Sequence, residues 1–291
     1  MQLLLQTLLN GTVLGAGYAV VAVGLTLVFG ILGIANFAHG AFFALGGYAV
    51  YVLTAGGLPY LAALPVAVAG VAAVGIAVEW LVVRRTLYGE GQHGAIIVTF
   101  AVGQAVTAGL ILLLGPDPYP VASPFNIGAF SALGLVVTGQ RGLILGVSLV
   151  VLAAFGLWLG RSTKGQQVVA TAQNPRGALY SGINVPRIRT LSFGLGVAAA
   201  GLAGGLLAPI VTAFPTMGEA ALVTGFTVGI LGGMGSISGP LVAAFLLGLG
   251  NALFETYVSV SWTPALGWAL VVAVLLVRPQ GLGGRALVHR N

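Results

Sequence analysis

The sequence predicts an all-α polytopic membrane protein of eight to ten membrane-embedded helices, some of them discontinuous. Three observations carry this expectation. Only 5% of the 291 residues are charged, with 11 Lys or Arg against 5 Asp or Glu, where a soluble domain carries about 25%. Hydrophobic residues make up 58% of the chain, and mean hydropathy is +1.07. The apolar residues also fall into long runs, and crossing ~30 Å of hydrocarbon takes roughly 20 residues. So few charges cannot cover a soluble domain of this size, and disorder requires the opposite composition.

In chain order the apolar runs are 8–34, 37–53, 61–83, 95–114, 143–159, 191–211, 221–253 and 262–277. The seventh is too long for one span and is cut by Gly232-Gly233-Met234-Gly235-Ser236, so it is expected to divide in two. Ten of the eleven positive charges lie in three interruptions. These are Arg84 and Arg85; then Arg161, Lys164, Arg176, Arg187 and Arg189; then Arg278, Arg285 and Arg290. The positive-inside rule places all three in the cytoplasm. Parity then requires the seventh run to cross twice, with the N-terminus outside and the C-terminus cytoplasmic. Trp80, Trp158 and Trp262 fall near segment ends, as interfacial anchors do. The Pro-rich connection from Gly115-Pro116-Asp117-Pro118-Tyr119-Pro120 to Gln140 is expected outside, as an ordered irregular loop rather than a helix.

Several function classes drop out. The net charge of +6 and pI near 10.1 do not mark a nucleic-acid binder, because the basic residues are not interleaved with a soluble fold. The chain has no Cys, which removes disulfides, thiolate metal sites and cysteine nucleophiles. The segment from Met1 to Asn10 lacks the basic n-region of a cleaved signal peptide. No metal-ligand or nucleophile cluster suggests an intramembrane enzyme. Glu79, five residues before Arg84, reads as one half of a structural ion pair with Arg84 or Arg85. Glu219 and Glu255 read as interfacial, Asp117 as external, and His93 and His289 suggest no role. Only His39 reads as an ionisable residue deep in the membrane, which disfavours a carrier driven by protons or sodium.

Three stretches concentrate polar or helix-breaking residues. Asn36-Phe37-Ala38-His39-Gly40 places an amide and an imidazole beside a helix break. It is either the lining or cap of a substrate path, or a polar pair tying helices together. Gly232-Gly233-Met234-Gly235-Ser236-Ile237-Ser238-Gly239-Pro240 allows a tight reversal, with Ser236 or Ser238 capping the next helix and Pro240 in its first turn. The other reading is close packing of small residues. The run has no Lys where a nucleotide-binding P-loop needs one. A weak internal repeat relates Gly30-Ile31-Leu32-Gly33 and Gly40 to Gly229-Ile230-Leu231-Gly232 and Gly239. Paired discontinuous helices of this kind line transport pathways, and such breaks survive in a bilayer only where buried or facing a cavity.

The third stretch is the basic segment 161–189. Val168, Val169, Ala172 and Leu179 recur near helical spacing, and Asn174-Pro175 divides it into two short helices. Gly182-Ile183-Asn184-Val185-Pro186 then returns the chain to the bilayer. The segment is either a loop anchored at the headgroups or a short helix that docks on a cytoplasmic partner.

Taken together, these motifs resemble the Liv-H-like permease subunits of bacterial ABC importers for branched-chain amino acids. The resemblance runs through nearly the whole chain in the family's order. Asn36 to Gly40 is similar to its N-F-A-H-G. Glu79 with Arg84-Arg85 and Leu87-Tyr88-Gly89 is similar to its E-R-x-x-x-R-R-x-L-Y-G, with Trp80 in place of a basic residue. Thr99-Phe100 and Gly115 to Pro118 are similar to its T-F and G-P-D-P elements. Gly165, Ala170, Asn174, Ala178 and Gly182-Ile183-Asn184 resemble its cytoplasmic coupling motif. Met217-Gly218, Phe226 and Gly232 to Ser236 with Gly239 resemble its late glycine-rich block. The chain departs at Gln166 and Val169, where the motif usually carries Arg, and at Thr224, where Lys is common.

The resemblance implies a type II-like ABC importer permease, a single transmembrane permease domain over 1–291 with the coupling segment 161–189 inside it. It further implies two cytoplasmic ATPase subunits, a second permease chain (often a different one) and an external substrate-binding protein in the bacterial cytoplasmic membrane. Nucleic acid is not an expected partner. ATP and Mg would sit on the ATPases, with no cofactor on this chain and no catalytic or metal residue. The expected substrate path uses Asn36, His39, Gly40, Gly232, Gly233, Gly235, Ser236 and Ser238. ATPase coupling would involve Gly165, Ala170, Asn174, Arg176, Ala178, Gly182 and Ile183. The cargo implied is a branched-chain or related amino acid moved by alternating access. Urea, short amides or aromatic compounds on the same machinery form the alternative, and an ion-coupled carrier working alone is the rival class.

Overall fold

The computed structural model describes residues 2–123, 130–132, 135–233, 236 and 238–283. Helix α1 runs Gln2–Leu32, α2 His39–Ala55 and α3 Tyr60–Val78, continued by one π-helical turn Glu79–Val83 into α4 Arg84–Gly89. Then come α5 Gly91–Leu114, a short antiparallel ladder of β1 Phe130–Ala132 with β2 Leu135–Val137, and α6 Gly139–Arg161. The cytoplasmic candidates are α7 Thr163–Gln173 and α8 Pro175–Tyr180. Helices α9 Val185–Val211, α10 Met217–Gly232, α11 Ser238–Tyr257 and α12 Thr263–Val277 complete the chain. Among the described residues, six helical stretches are long and apolar enough to cross a membrane, and three shorter apolar helices accompany them. The run 221–253 divides, as its glycines require. The connection after Gly115 holds no helix before Gly139 among its described residues.

At 31 residues and 1.5 Å per residue, α1 is about 46 Å long. It is the most deeply enclosed of the long helices, whereas α5 and α6 are mostly open to the surroundings. It packs against α9, α10 and α11. Small residues make that possible. A Cβ at Gly248 of α11 would stand 2.4 Å from the backbone nitrogen of Gly15, so the two helices touch backbone to backbone. The same device joins α2 to α9, where Gly46 lies against Gly201 and Gly204 against Phe43. In lipid there is no hydrophobic drive between helices, and close van der Waals contact of small residues supplies much of the attraction.

Inside α9, Pro209 lacks the N–H that would meet the carbonyl of Gly205. The buried Tyr60 hydroxyl donates to that carbonyl at 2.8 Å. Gln140, also buried, donates to the Tyr60 oxygen at 3.2 Å and to the Leu206 carbonyl at 2.7 Å. A freed backbone acceptor is thereby satisfied by buried side chains from α3 and α6, as a membrane helix containing proline demands. At the same end of the molecule, Gln6 of α1 pairs through its amide with both backbone groups of Val136 in β2. Arg141 donates to the Asn10 side chain at 2.7 Å, and Tyr119 and Ala213 exchange two backbone hydrogen bonds.

Candidate functional site

The first helix break lies between Leu32 and His39. Gly33 ends α1 with φ +70°, a conformation that favours glycine, and its N–H donates to the Phe29 carbonyl. The segment beyond is held from two sides. The Asn36 side-chain oxygen accepts the Ala38 N–H at 3.1 Å. The Thr99 hydroxyl of α5 accepts the Phe37 N–H at 3.3 Å and donates to the Ile96 carbonyl. Thr99 lies eight residues into α5, so the break sits about 12 Å inside that helix's end. Phe37 projects from the break and packs its ring on Phe226 of α10 at 5.4 Å and edge-on against Phe100 at 6.5 Å. Three separate sequence elements therefore meet here.

Asn36 and His39 are fully buried. The His39 Nε2–H donates to the Val21 carbonyl of α1 at 3.0 Å, which leaves Nδ1 as an acceptor without a partner among the described residues. The Asn36 amide nitrogen is likewise unpartnered. Gly40 faces Gly218 of α10 so closely that a Cβ at Gly40 would lie 2.3 Å from the Gly218 carbonyl oxygen. The arrangement ties α2 to α1 and α10, and it also leaves two polar groups ready to bond if the helices part.

The second break lies between Gly232 and Ser238. Gly233 turns at φ +92°, and Ser236 fills the capping role by accepting the Gly239 N–H at 3.2 Å. Ser238 is the first residue of α11 and is exposed. Gly235 lies outside the described residues. The carbonyls left open at the end of α10 are met by the chain beyond α12. Leu282 donates to Leu231 and Gly283 to Gly232, each at 2.9 Å. Gly232, Gly233 and Gly239 are buried in this junction.

The suggested repeat has a structural counterpart. Helix α2 restarts at His39 and α11 at Ser238, 199 positions apart, the spacing that relates the two glycine runs. Helix α1 packs on α11, α10 on α2, and α1 on α10, so the two broken pairs interlock. The predicted path residues form two groups, one per break, bridged by α10 through Phe226 and Phe37.

The segment 161–189 contains the two short helices expected, with α9 following. Each starts at a capping side chain. Ser162 accepts the Gly165 N–H, Asn174 the Gly177 N–H and Asn184 the Arg187 N–H, which is how an N-cap relieves the free donors of a first turn. Gly165 presses on the Trp158 carbonyl of α6, while Val168 and Ala178 are buried. Asn174, Arg176 and Gly182 are exposed, and Ala170 and Ile183 are half-buried. Leu179, part of the apolar pattern in the sequence, points outward instead of into the core, beside Tyr180, which is 88% exposed. Tyr180 had no distinguishing mark in the sequence.

The Glu79–Arg84 pair is present. Arg84 donates through Nε and Nη2 to the two Glu79 oxygens at 3.3 and 3.2 Å. Glu79 is only 2% exposed, so it joins His39 as a buried ionisable side chain, which its position near a segment end did not foretell. A cavity of about 450 Å³ lies between α11 and α12, lined by residues including Leu231, Leu247, Leu253, Phe254 and Leu270. Its walls are almost wholly apolar, so it offers nothing to a zwitterion. Among the described residues no group of acidic, His or Cys side chains can hold a metal ion.

The family described as "Branched-chain amino acid transport system / permease component" matches residues 7–278. The high-affinity branched-chain amino acid transport system permease protein LivH of Escherichia coli is 30% identical over 302 residues, covering 98% of this chain and 97% of its own. The corresponding permease protein BraD of Pseudomonas aeruginosa is also 30% identical over 302 residues with the same coverage. The probable branched-chain amino acid transport permease protein LivH of Methanocaldococcus jannaschii is 27% identical, covering 96% of this chain and 92% of its own. In fold the chain is similar to the structure of PsaBC from Streptococcus pneumoniae in complex with Fab. The TM-score is 0.53 at 11% identity, over 93% of this chain and 91% of that one.

Proposed function

This chain belongs to the branched-chain amino acid transport permease family, as the membrane-spanning permease subunit of an ABC importer, and we propose that it carries a branched-chain or closely related amino acid inward by alternating access. The whole chain acts as one permease domain. Its partners are two cytoplasmic ATPase subunits that bind ATP and Mg, a second permease chain and an external substrate-binding protein. It resides in the bacterial cytoplasmic membrane with the N-terminus outside. Arg84 bonding the Pro186 carbonyl and Arg189 bonding the Tyr88 hydroxyl gather two cations around the start of α9, which supports that orientation.

The observation that carries the reading is the capped pair α7–α8, which offers Arg176, Leu179 and Tyr180 to the outside. A rigid, exposed surface that mixes a cation with apolar groups suits a protein partner better than headgroups alone. The proposed route runs between the two helix breaks. Asn36, His39 and Gly40 flank it on one side and Gly232, Gly233, Ser236 and Ser238 on the other. Burial of the first group makes the present arrangement a closed one, and opening separates α2 from α10. Among the described residues the buried carboxylate Glu79 is already paired with Arg84, so little charge is left to meet either end of a zwitterion, and most of the affinity resides in the external binding protein.

Calorimetry on the cognate binding protein tests the cargo. Leucine, isoleucine or valine is expected to bind most tightly in a panel that includes urea, short amides and aromatic acids. Tight binding of urea or an amide alone would contradict the assignment of cargo and leave the importer intact.

A further inference from the structure

The groups involved lie where the coupling segment meets the bilayer part of the chain. Helix α9 follows α8 with almost no slack. Ile183 donates to the Ala178 carbonyl, Val185 donates to Ile183, and Asn184 caps the new helix. The first turn of α9 is gripped at once by a side chain 102 positions earlier in the chain. Arg84 donates to the Pro186 carbonyl at 3.4 Å and to the Thr190 hydroxyl, while holding Glu79 through both of its oxygens. One turn along, Arg189 donates to the Tyr88 hydroxyl at 3.2 Å and lies over its ring, 5.5 Å from the centroid.

The backbone is shaped for this grip. On an α-helix, residues five apart point roughly 140° away from each other. The chain runs through a π turn over Glu79–Val83, closed by the Arg84 N–H on the Glu79 carbonyl. This wider turn is a feature found mostly at functional sites, and it lets Glu79 and Arg84 meet on one side. Arg suits the task because its planar fork serves several acceptors at fixed angles, which a Lys ammonium cannot reproduce. Below the grip, α3 and α9 remain in contact through Ile76 with Gly194, Gly75 with Val197 and Val71 with Gly201.

We propose that Glu79 and Arg84 are positioning residues that clamp the start of α9 to the π turn after α3, so that a displacement of α8 moves α3 and α9 as one body. This rests on the importer reading above. A partly buried attachment, anchored on the buried Glu79, where the coupling helices join α9 is what such a transmission needs. Without it, a push on α8 is taken up by the short turn between Ser181 and Asn184 before it reaches α9.

The test uses the complete importer in proteoliposomes, with uptake and ATP hydrolysis measured on the same preparation. Arg84→Lys and Glu79→Gln are expected to keep most of the hydrolysis while uptake per ATP falls about fivefold or more. A merely structural role lowers both in proportion to the amount of folded complex and leaves the ratio unchanged. Because the chain has no Cys, spin labels at Arg85→Cys and Arg187→Cys, both exposed positions, give a second readout. Their separation is expected to stay the same with and without ATP in the native background and to broaden or shift with Arg84→Lys. ATP-driven uptake by the unsubstituted importer secures the reading beneath the inference. With that uptake intact, an unchanged ratio in both variants, or a label distance that Arg84→Lys leaves untouched, overturns the inference alone.

Discussion

Replacing Ala178 with Pro is expected to lower ATP-driven uptake more than tenfold while the complex still inserts and assembles. Helix α8 has only six residues, and Ala178 sits at its centre in two backbone hydrogen bonds. Its N–H donates to Asn174 at 2.9 Å, and its carbonyl accepts the Ile183 N–H at 3.0 Å. Proline removes the first bond and forces its ring against the preceding turn, at a cost of about 3 kcal/mol in a helix interior. So short a helix has no neighbouring turns over which to spread that cost. The surface of Arg176, Leu179 and Tyr180 then loses its shape, while the apolar helices that insert into the bilayer are untouched. Arg176→Glu is the milder companion, because Arg176 is exposed and its reversal alters only complementarity. A loss of about tenfold corresponds to ~1.4 kcal/mol at such an interface. Uptake equal to the unsubstituted importer in both variants would remove the coupling role from this segment.

The second large effect is expected at Gly204. A Cβ there would lie 1.9 Å from the Phe43 carbonyl oxygen of α2, and the obstacle is backbone, which has no rotamer to change. Gly204→Val must drive α2 from α9. Overpacking typically costs about 1–3 kcal/mol, and a collision with backbone belongs at the upper end. In a chain of this size, each kcal/mol lowers the unfolding midpoint by roughly 2–4 °C. A fall of about 5–10 °C in detergent or nanodiscs is expected, together with loss of uptake. Gly109→Ala is the matched control. A Cβ at Gly109 meets nothing within 4 Å, and Ala favours helix over Gly by about 1 kcal/mol. An equal midpoint for Gly204→Val and the unsubstituted chain would contradict the packing described.

Much of this was open to a reader of the sequence, for particular reasons. Length and hydropathy located the helices because a bilayer demands long apolar runs. Gly232-Gly233 divided the seventh run because glycine there ends one helix and Ser236 caps the next. Asn174-Pro175 marked the split between α7 and α8, since proline fits a first turn and the preceding residue resists helix. An ion pair of Glu79 with Arg84 or Arg85 was legible from sign and spacing, but the choice of Arg84 and the π turn that makes it were not. Nothing in Glu-Trp-Leu-Val-Val distinguishes that turn from an α-helix.

Which helices lie inside was hidden as well. In water an amphipathic stripe marks the buried face, but lipid is as apolar as a protein core, so α1 and α6 read alike. Only the clustering of Gly along α1, α2 and α9 hints at the enclosed faces. The meeting of Phe37, Phe100 and Phe226, and the capture of the Gly205 carbonyl by Tyr60, depend on tertiary placement and left no local trace.

On the proposed function, this chain opens and closes a route powered entirely by partner ATPases. Uptake of radiolabelled leucine into proteoliposomes tests it directly, with and without the ATPase subunits, ATP and an imposed ion gradient. Accumulation is expected only when permease, ATPases, binding protein and ATP are all present, with no response to proton or sodium gradients. Gradient-driven accumulation by permease chains alone would show a carrier that needs no ATPase.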